Sequence, residues 1–401
     1  MSHTKITDSH VHSQRRNALA QTAAYCAAFI GLGLCGGSLG PSLAAHAART
    51  GSDLSTISSV FVASALGRLC GSLSGGWLLD RTRGHTLMAI GALATAATMA
   101  CIPFTGTLPA MLTVMFFYGI AVNWIDIGAN TLIVRVHGDK VGPYMNALHL
   151  AFGIGGGMAP LIVGRSFALS GDVSLVYWFL AALLIPLVFW MLSLPNPPQV
   201  TQANRAQGAT APLGILLLLG TFFFLMVGVE ITGAQWTFTL GERIGLSKEV
   251  GAPMLASSFW WAYSAGRLIA IPVSMRLRPG TYVAIDLIGA LICAVITLVG
   301  LTMPNAQTLV WIGIAGSGIF IASAFPSALS FVGSRVPLSG AITGLLFASS
   351  NLGVMIVPWS IGQVIDGVGS RVVPITSMVA SATAITIFAV LLRRLGKQNS
   401  V

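Results

Sequence analysis

Three polar residues in the apolar stretch from Gly119 to Val134 set the chemical question: Asn123, Asp126 and Asn130. Their i, i+3, i+7 spacing puts them on one face of a helix. A charge at mid-bilayer costs about 3 kcal/mol, so a carboxylate persists there only if it faces a bundle interior or a wetted cavity. The two asparagines alone would fit ordinary interhelical hydrogen bonding. The carboxylate points instead to reversible contact with a cation or a polar solute. A second acid, Glu230, lies in MVGVEITGAQWTFTL (226–240) between Gly228 and Gly233, which suggest a helix that bends or unwinds. Gln235 and Trp236 follow it. An amide and an indole beside a carboxylate suit a hydroxylated ring, although an interfacial anchor is the other reading of Trp236.

Further candidates lie in PYMNALHLAFGIGGGMAP (143–160), where Asn146, His149 and Gly153 repeat the one-face spacing, and Gly155-Gly156-Gly157 permits close helix approach. His149 offers a neutral donor and acceptor that titrates near physiological pH. In SSFWWAYSAGR, one of Trp260 and Trp261 is expected to line a cavity, with Tyr263 nearby. Asn351 is a weaker candidate. Arg68 and Arg267 lie inside apolar segments. They can pair with an intramembrane acid or support a gate, and the gate is favoured. Asp80-Arg81, at a helix end before a glycine turn, suits a charge latch between helices that part and re-form.

The elements that position these residues follow from composition. The 401 residues are 55% hydrophobic and 8% charged, with mean hydropathy +0.83. So few charges cannot cover a water-facing protein of this size, so lipid must cover most of the surface. The net charge of +10 comes from basic residues placed singly or in pairs between apolar runs, which excludes nucleic acid as a partner. The five cysteines, Cys26, Cys35, Cys70, Cys101 and Cys293, form no C-x-x-C pair and read as packing residues. Neither a signal peptide nor a lipoprotein site fits the N-terminus.

Apolar runs of membrane-crossing length give twelve segments, near 18–45, 54–79, 86–104, 108–135, 142–168, 172–194, 212–241, 249–275, 281–302, 306–333, 338–365 and 370–394. The expected fold is an all-α membrane protein of twelve transmembrane helices in two pseudo-symmetric six-helix bundles. Residues 1–17 form an N-terminal tail, 18–194 the first bundle, 195–211 a polar, proline-rich linker, 212–394 the second bundle and 395–401 a C-terminal tail. An even count puts both ends on one side. That side carries 14 basic residues against 5 on the other, so both ends and the linker are expected to be cytoplasmic. The halves echo each other. Gly67-Arg68-Leu69 matches Gly266-Arg267-Leu268, Gly119 matches Gly318, and Gly155, Pro160 and Gly164 match Gly353, Pro358 and Gly362, at offsets of 198–199.

These motifs resemble the major facilitator superfamily. Gly76 to Arg83 is similar to its loop motif G-x-x-x-D-R-x-G-R, but Arg83 here precedes Gly84 and His85 replaces a basic residue. More narrowly, Asp126-x-Gly128-x-Asn130, Leu148-His149 with Phe152-Gly153 and Pro160, Val227-Gly228-x-Glu230 with Trp236, and Phe259-Trp260 with Gly266-Arg267 resemble the sodium-dependent glucose transporter branch, related to the fucose–proton symporters. Asp126 and Asn130 are similar to an acid four residues before an asparagine on helix 4 of those symporters. Their helix-1 acid has no counterpart in segment 1. The resemblance implies cation-driven uptake of a monosaccharide by alternating access. Asp126 and Glu230 would couple Na⁺ or H⁺, and Asn123, Asn130, Asn146, His149, Gln235, Trp236, Trp260, Trp261 and Asn351 would bind substrate. Arg68, Asp80, Arg81 and Arg267 would gate. No enzyme motif, catalytic residue, metal ligand set or other cofactor is expected. A monomer in a cell membrane, in the manner of a bacterial inner membrane, completes the expectation. An exporter of drugs or metabolites driven by protons is the main alternative. A lipid flippase and a membrane sensor are further ones.

Overall fold

The computed structural model describes residues 2–195, 197, 212–336 and 340–396. The expected linker falls almost wholly outside them, as do Arg205 and Lys397. Every described element is helical. The first half contains α1 (Ser2–Leu39), α2 (Leu43–Thr50), α3 (Leu54–Ile57), α4 (Ser59–Arg81), α5 (Gly84–Cys101), α6 (Leu108–His137), α7 (Val141–Ser170) and α8 (Ser174–Ser193). The second contains α9 (Leu213–Arg243), α10 (Gly251–Ser274), α11 (Pro279–Thr302), α12 (Gln307–Ile321), α13 (Ala324–Gly333), α14 (Gly340–Val368) and α15 (Val372–Gly396).

The twelve apolar segments each correspond to a helix or a broken pair. Segment 2 is α3 with α4, and segment 10 is α12 with α13. Among the described residues, eleven spans are both long and apolar enough to cross a bilayer, the first being Arg16–Leu39 of α1. The exception is α10. Its 24 residues give a rise of about 36 Å. Its hydropathy is lowered by Ser257, Ser258, Trp260, Trp261, Tyr263, Ser264 and Arg267, of which Arg267 lines the cavity described below. Leu73, Trp77, Phe189 and Leu217 are more than half exposed, as side chains facing acyl chains must be.

The repeat read from glycine spacing is a packing repeat. In the first half α1 packs on α7, α4 on α6 and α5 on α8; in the second α9 packs on α14, α10 on α12 and α11 on α15. The matched glycines sit at these crossings. A Cβ on Gly67 would lie 2.0 Å from the Phe116 carbonyl oxygen, and one on Gly119 would lie 2.1 Å from that of Ser64. Gly266 and Gly318 stand in the same relation to Ile319 and Phe259, at 2.4 and 2.3 Å. Only a residue without a side chain lets the helix backbones approach this closely.

The bundles meet at the end of the molecule away from the chain termini. There Gln363 Nε2 donates to the Ser55 carbonyl at 2.9 Å, and Ser55 Oγ donates to Gln363 Oε1 at 2.9 Å. Gly164 of α7 lies against Pro253 of α10, and Gly40 lies against the backbone of Gln235. Two ion pairs brace this far end within the bundles. Arg49 holds Asp172 at 2.6 Å, and Arg243 holds Asp366. Each arginine lies 194 positions from its counterpart, as does each aspartate. Toward the termini the bundles diverge around a cavity of about 650 Å³, whose wall includes Asn146 of α7, Arg267 of α10, Tyr282 of α11, and Ser323 and Ser327 at the α12–α13 joint.

Candidate functional site

The face of α6 carrying the polar triad turns toward α4. Asn123 packs on Gly71, where a Cβ would lie 2.9 Å from its own Cβ. Asp126, half-buried, accepts from Asn130 Nδ2 at 2.8 Å. The same amide reaches the Asp126 carbonyl at 3.0 Å. Arg68 of α4 acts on Asp126 electrostatically without a direct ion pair. The Tyr118 hydroxyl lies within reach of Arg68.

The repeat-related cluster is more tightly bonded. Arg267 Nη2 donates to the Tyr263 hydroxyl at 2.5 Å, and Tyr263 donates to Glu230 Oε1 at 2.8 Å. The Arg267 guanidinium also lies over the Tyr263 ring at 4.8 Å. Both intramembrane arginines therefore stand beside acids, the pairing weighed against the gate in the sequence reading. Sequence reasoning passed over Tyr263 as a relay. Its spacing four residues before Arg267, on the same helix face, was the available signal.

The one-face reading of α7 holds in space. Asn146 lines the cavity, His149 lies within the field of Arg267, and Gly153 packs on Ser264 of α10. The His149 ring meets Phe29 edge-on at 5.7 Å. Of the adjacent tryptophans, Trp260 turns inward and is 5% exposed, against Gly156 and Phe152 of the opposite bundle. Trp261 packs on Gly157 but is 42% exposed, on the outer surface of the contact.

Other expected residues lie elsewhere. Trp236 has no exposed surface. Its Nε1 donates to the Pro358 carbonyl at 3.0 Å, and its ring meets Phe61 of the other bundle. These contacts put it in the far-end seal, about 1.7 turns past Glu230 on α9. Gln235 belongs to the same seal: its Nε2 reaches the Gly36 carbonyl at 3.4 Å, while Oε1 has no partner among the described residues. Asn351 is half-buried on α14, outside the cavity wall. Asp80 and Arg81 are exposed at the divergent end. Arg81 stacks on Trp77 at 4.1 Å and, among the described residues, makes no ion pair with the other bundle.

A sealed end, a divergent end and two bundles related by a packing repeat are the geometry of a protein that alternates access to a central site. The sequence profile described as Major Facilitator Superfamily matches residues 23–338, more than half of the chain. The chain is a member of the major facilitator superfamily. This superfamily comprises membrane transporters, so secondary transport of a small solute across a membrane follows, and not catalysis. Within the superfamily the chain is 30% identical over 375 residues to sodium-dependent glucose transporter 1A of Mus musculus, covering 84% of this chain and 87% of that one. It is 29% identical over 376 residues to sodium-dependent glucose transporter 1 of Homo sapiens, covering 84% and 72%. The crystal structure of nucleoside transporter NupG superposes with a TM-score of 0.71 at 16% identity, covering 94% of this chain and 98% of that one, which shows a shared fold.

Proposed function

We propose that this chain is a cation-coupled importer of a small polar solute, a monosaccharide, with H⁺ or Na⁺ as the coupling ion. The reading rests on one observation. Where the bundles face each other, α10 presents two buried donors with no hydrogen-bond partner among the described residues, Trp260 Nε1 and Arg267 Nε. Buried polar atoms without partners are uncommon and need an explanation. A sugar hydroxyl can accept from both, and a sugar ring face suits Trp260. The names of the mouse and human relatives point to the same substrate class.

In this reading Asp126 carries the coupling ion. Its anionic form disfavours passage of the site through an occluded, water-poor state. Binding H⁺ or Na⁺ neutralises it and lets the bundles rock. Coupling follows when the solute binds well only to the neutralised form. Glu230, held by Tyr263 and Arg267, supplies a second acid on the other bundle. His149 and Asn146 lie on the path from the cavity. The chain ends and the linker are cytoplasmic, so the divergent end faces inward, and the protein works as a monomer in a cell membrane of the bacterial inner-membrane type.

Thermal stabilisation of purified protein by a panel of single sugars, with and without Na⁺ and across pH, tests the assignment. The expected result is stabilisation by one sugar class that strengthens with Na⁺ or with acid. Stabilisation by hydrophobic cations or drugs alone would overturn it and favour export.

A further inference from the structure

A third intramembrane acid lies outside the clusters described above. Asp286, on the second turn of α11, is 2% exposed. Its Oδ2 accepts from Ser323 Oγ at 2.9 Å, in the joint where α12 ends at Ile321 and α13 begins at Ala324. Ser323 occupies the N-cap position of α13 yet makes no side-chain cap bond. A serine there ordinarily accepts from the first-turn amides. Here the hydroxyl is given to the carboxylate instead. The Tyr282 hydroxyl lies beside that of Ser323. Tyr282 and Ser323 both line the 650 Å³ cavity, while Asp286 does not.

Among the described residues, no counter-charge acts on Asp286. On α11 itself the other titratable groups are Tyr282 and Cys293. The helices α12 and α13 carry no Asp, Glu, Lys, Arg or His. On α15 the charges are Arg393 and Arg394, both exposed and neither acting on Asp286. Beyond the helix ends stand Arg278 and Arg335, the latter stacked on Phe331 at 4.4 Å. Gly289, one turn on from Asp286, receives the Phe320 ring so closely that a Cβ would lie 2.3 Å from it. With so few oxygen donors and no open volume, the pocket suits a proton better than a hydrated metal cation.

We propose that Asp286 is a proton-binding site that exchanges with the cavity through the Ser323 and Tyr282 hydroxyls. In the transfer, a proton from cavity water passes along the two hydroxyls and forms the Asp286 O–H bond, leaving hydroxide in the cavity. No electrons change hands. The hydrogen bond then reverses: Asp286 donates and Ser323 Oγ accepts. Ser323 is thereby released from donating to the carboxylate, and the α12–α13 joint in the cavity wall responds to pH. This site is independent of Asp126 and does not depend on the identity of the solute.

Infrared difference spectroscopy of the full chain in lipid tests the proposal. The background is Asp126→Asn with Glu230→Gln, so that neither of those acids contributes. A carboxylic-acid C=O band is expected to grow on acidification. One component of that band should be lost in Asp286→Asn, shift in frequency in Ser323→Ala, and exchange with D₂O severalfold more slowly in Tyr282→Phe. Should Asp286→Asn fail to fold, Asp286→Glu keeps the band and moves its midpoint. Spectra of the Asp286→Asn protein that superpose on its parent at every pH overturn the assignment. So does a band that never titrates.

Discussion

The two bundles hold their acids in different ways. In the second, Glu230, Tyr263 and Arg267 form an unbroken hydrogen-bonded chain between α9 and α10. In the first, Asp126 bonds to Asn130 of its own helix, and Arg68 reaches it only through space. The frame is the same, down to the crossings of Gly67 with Gly119 and Gly266 with Gly318. A side chain tied to a neighbouring helix is a fixture. One tied only to its own helix is free to exchange partners. Under the proposed function, this difference fits cation exchange at Asp126 and anchoring at Glu230.

Substitutions grade this asymmetry. Arg267→Met leaves Glu230 and Tyr263 without their cation, and a loss of about 3 kcal/mol is expected, read as a lowered unfolding temperature. Tyr263→Phe removes the relay alone, with an expected loss of about 1–2 kcal/mol and weaker solute binding in the same assay. Arg68→Met should cost less than about 1 kcal/mol, since no direct bond is broken. Equal losses from Arg68→Met and Arg267→Met would erase the distinction between the bundles.

The smallest effect concerns the far end, where only the first bundle carries a buried histidine. His46 on α2 bonds to the Tyr177 hydroxyl at 2.6 Å. Burial, and then Arg49, push its pKa from 6.5 down to about 3. The unfolded chain takes up this proton below about pH 6.5 and the folded chain does not. The histidine's contribution to stability is therefore complete above that pH and declines as the pH falls toward 3. In His46→Asn, the fall of unfolding temperature with acid should be shallower, whatever the change in its absolute level. An unchanged slope would show that His46 is not the group responsible.

Much of the fold could be read from the chain because hydropathy and glycine are blunt signals. Twelve apolar runs and a 198–199-residue glycine echo specify crossings that the structure then contains. The site was legible as faces but not as partners. The spacing of Asn146, His149 and Gly153 correctly put them on one face, which turns to α10. Spacing alone did not show that Trp236 faces α14, or that Trp260 turns inward while Trp261 turns out, because that depends on how a helix is rotated against its neighbours. Arg68 and Arg267 were read as gate residues more readily than as partners of acids, since pairing across helices leaves no local pattern. Asp286 was passed over although the argument applied to Asp126 covers it equally.

The most direct test of the account uses Asp126→Asn in proteoliposomes, with uphill accumulation and solute counterflow measured side by side. Exchange across the membrane should persist, while accumulation driven by a Na⁺ or H⁺ gradient should disappear. If the variant still concentrates solute against its gradient, Asp126 does not carry the coupling ion and the account fails.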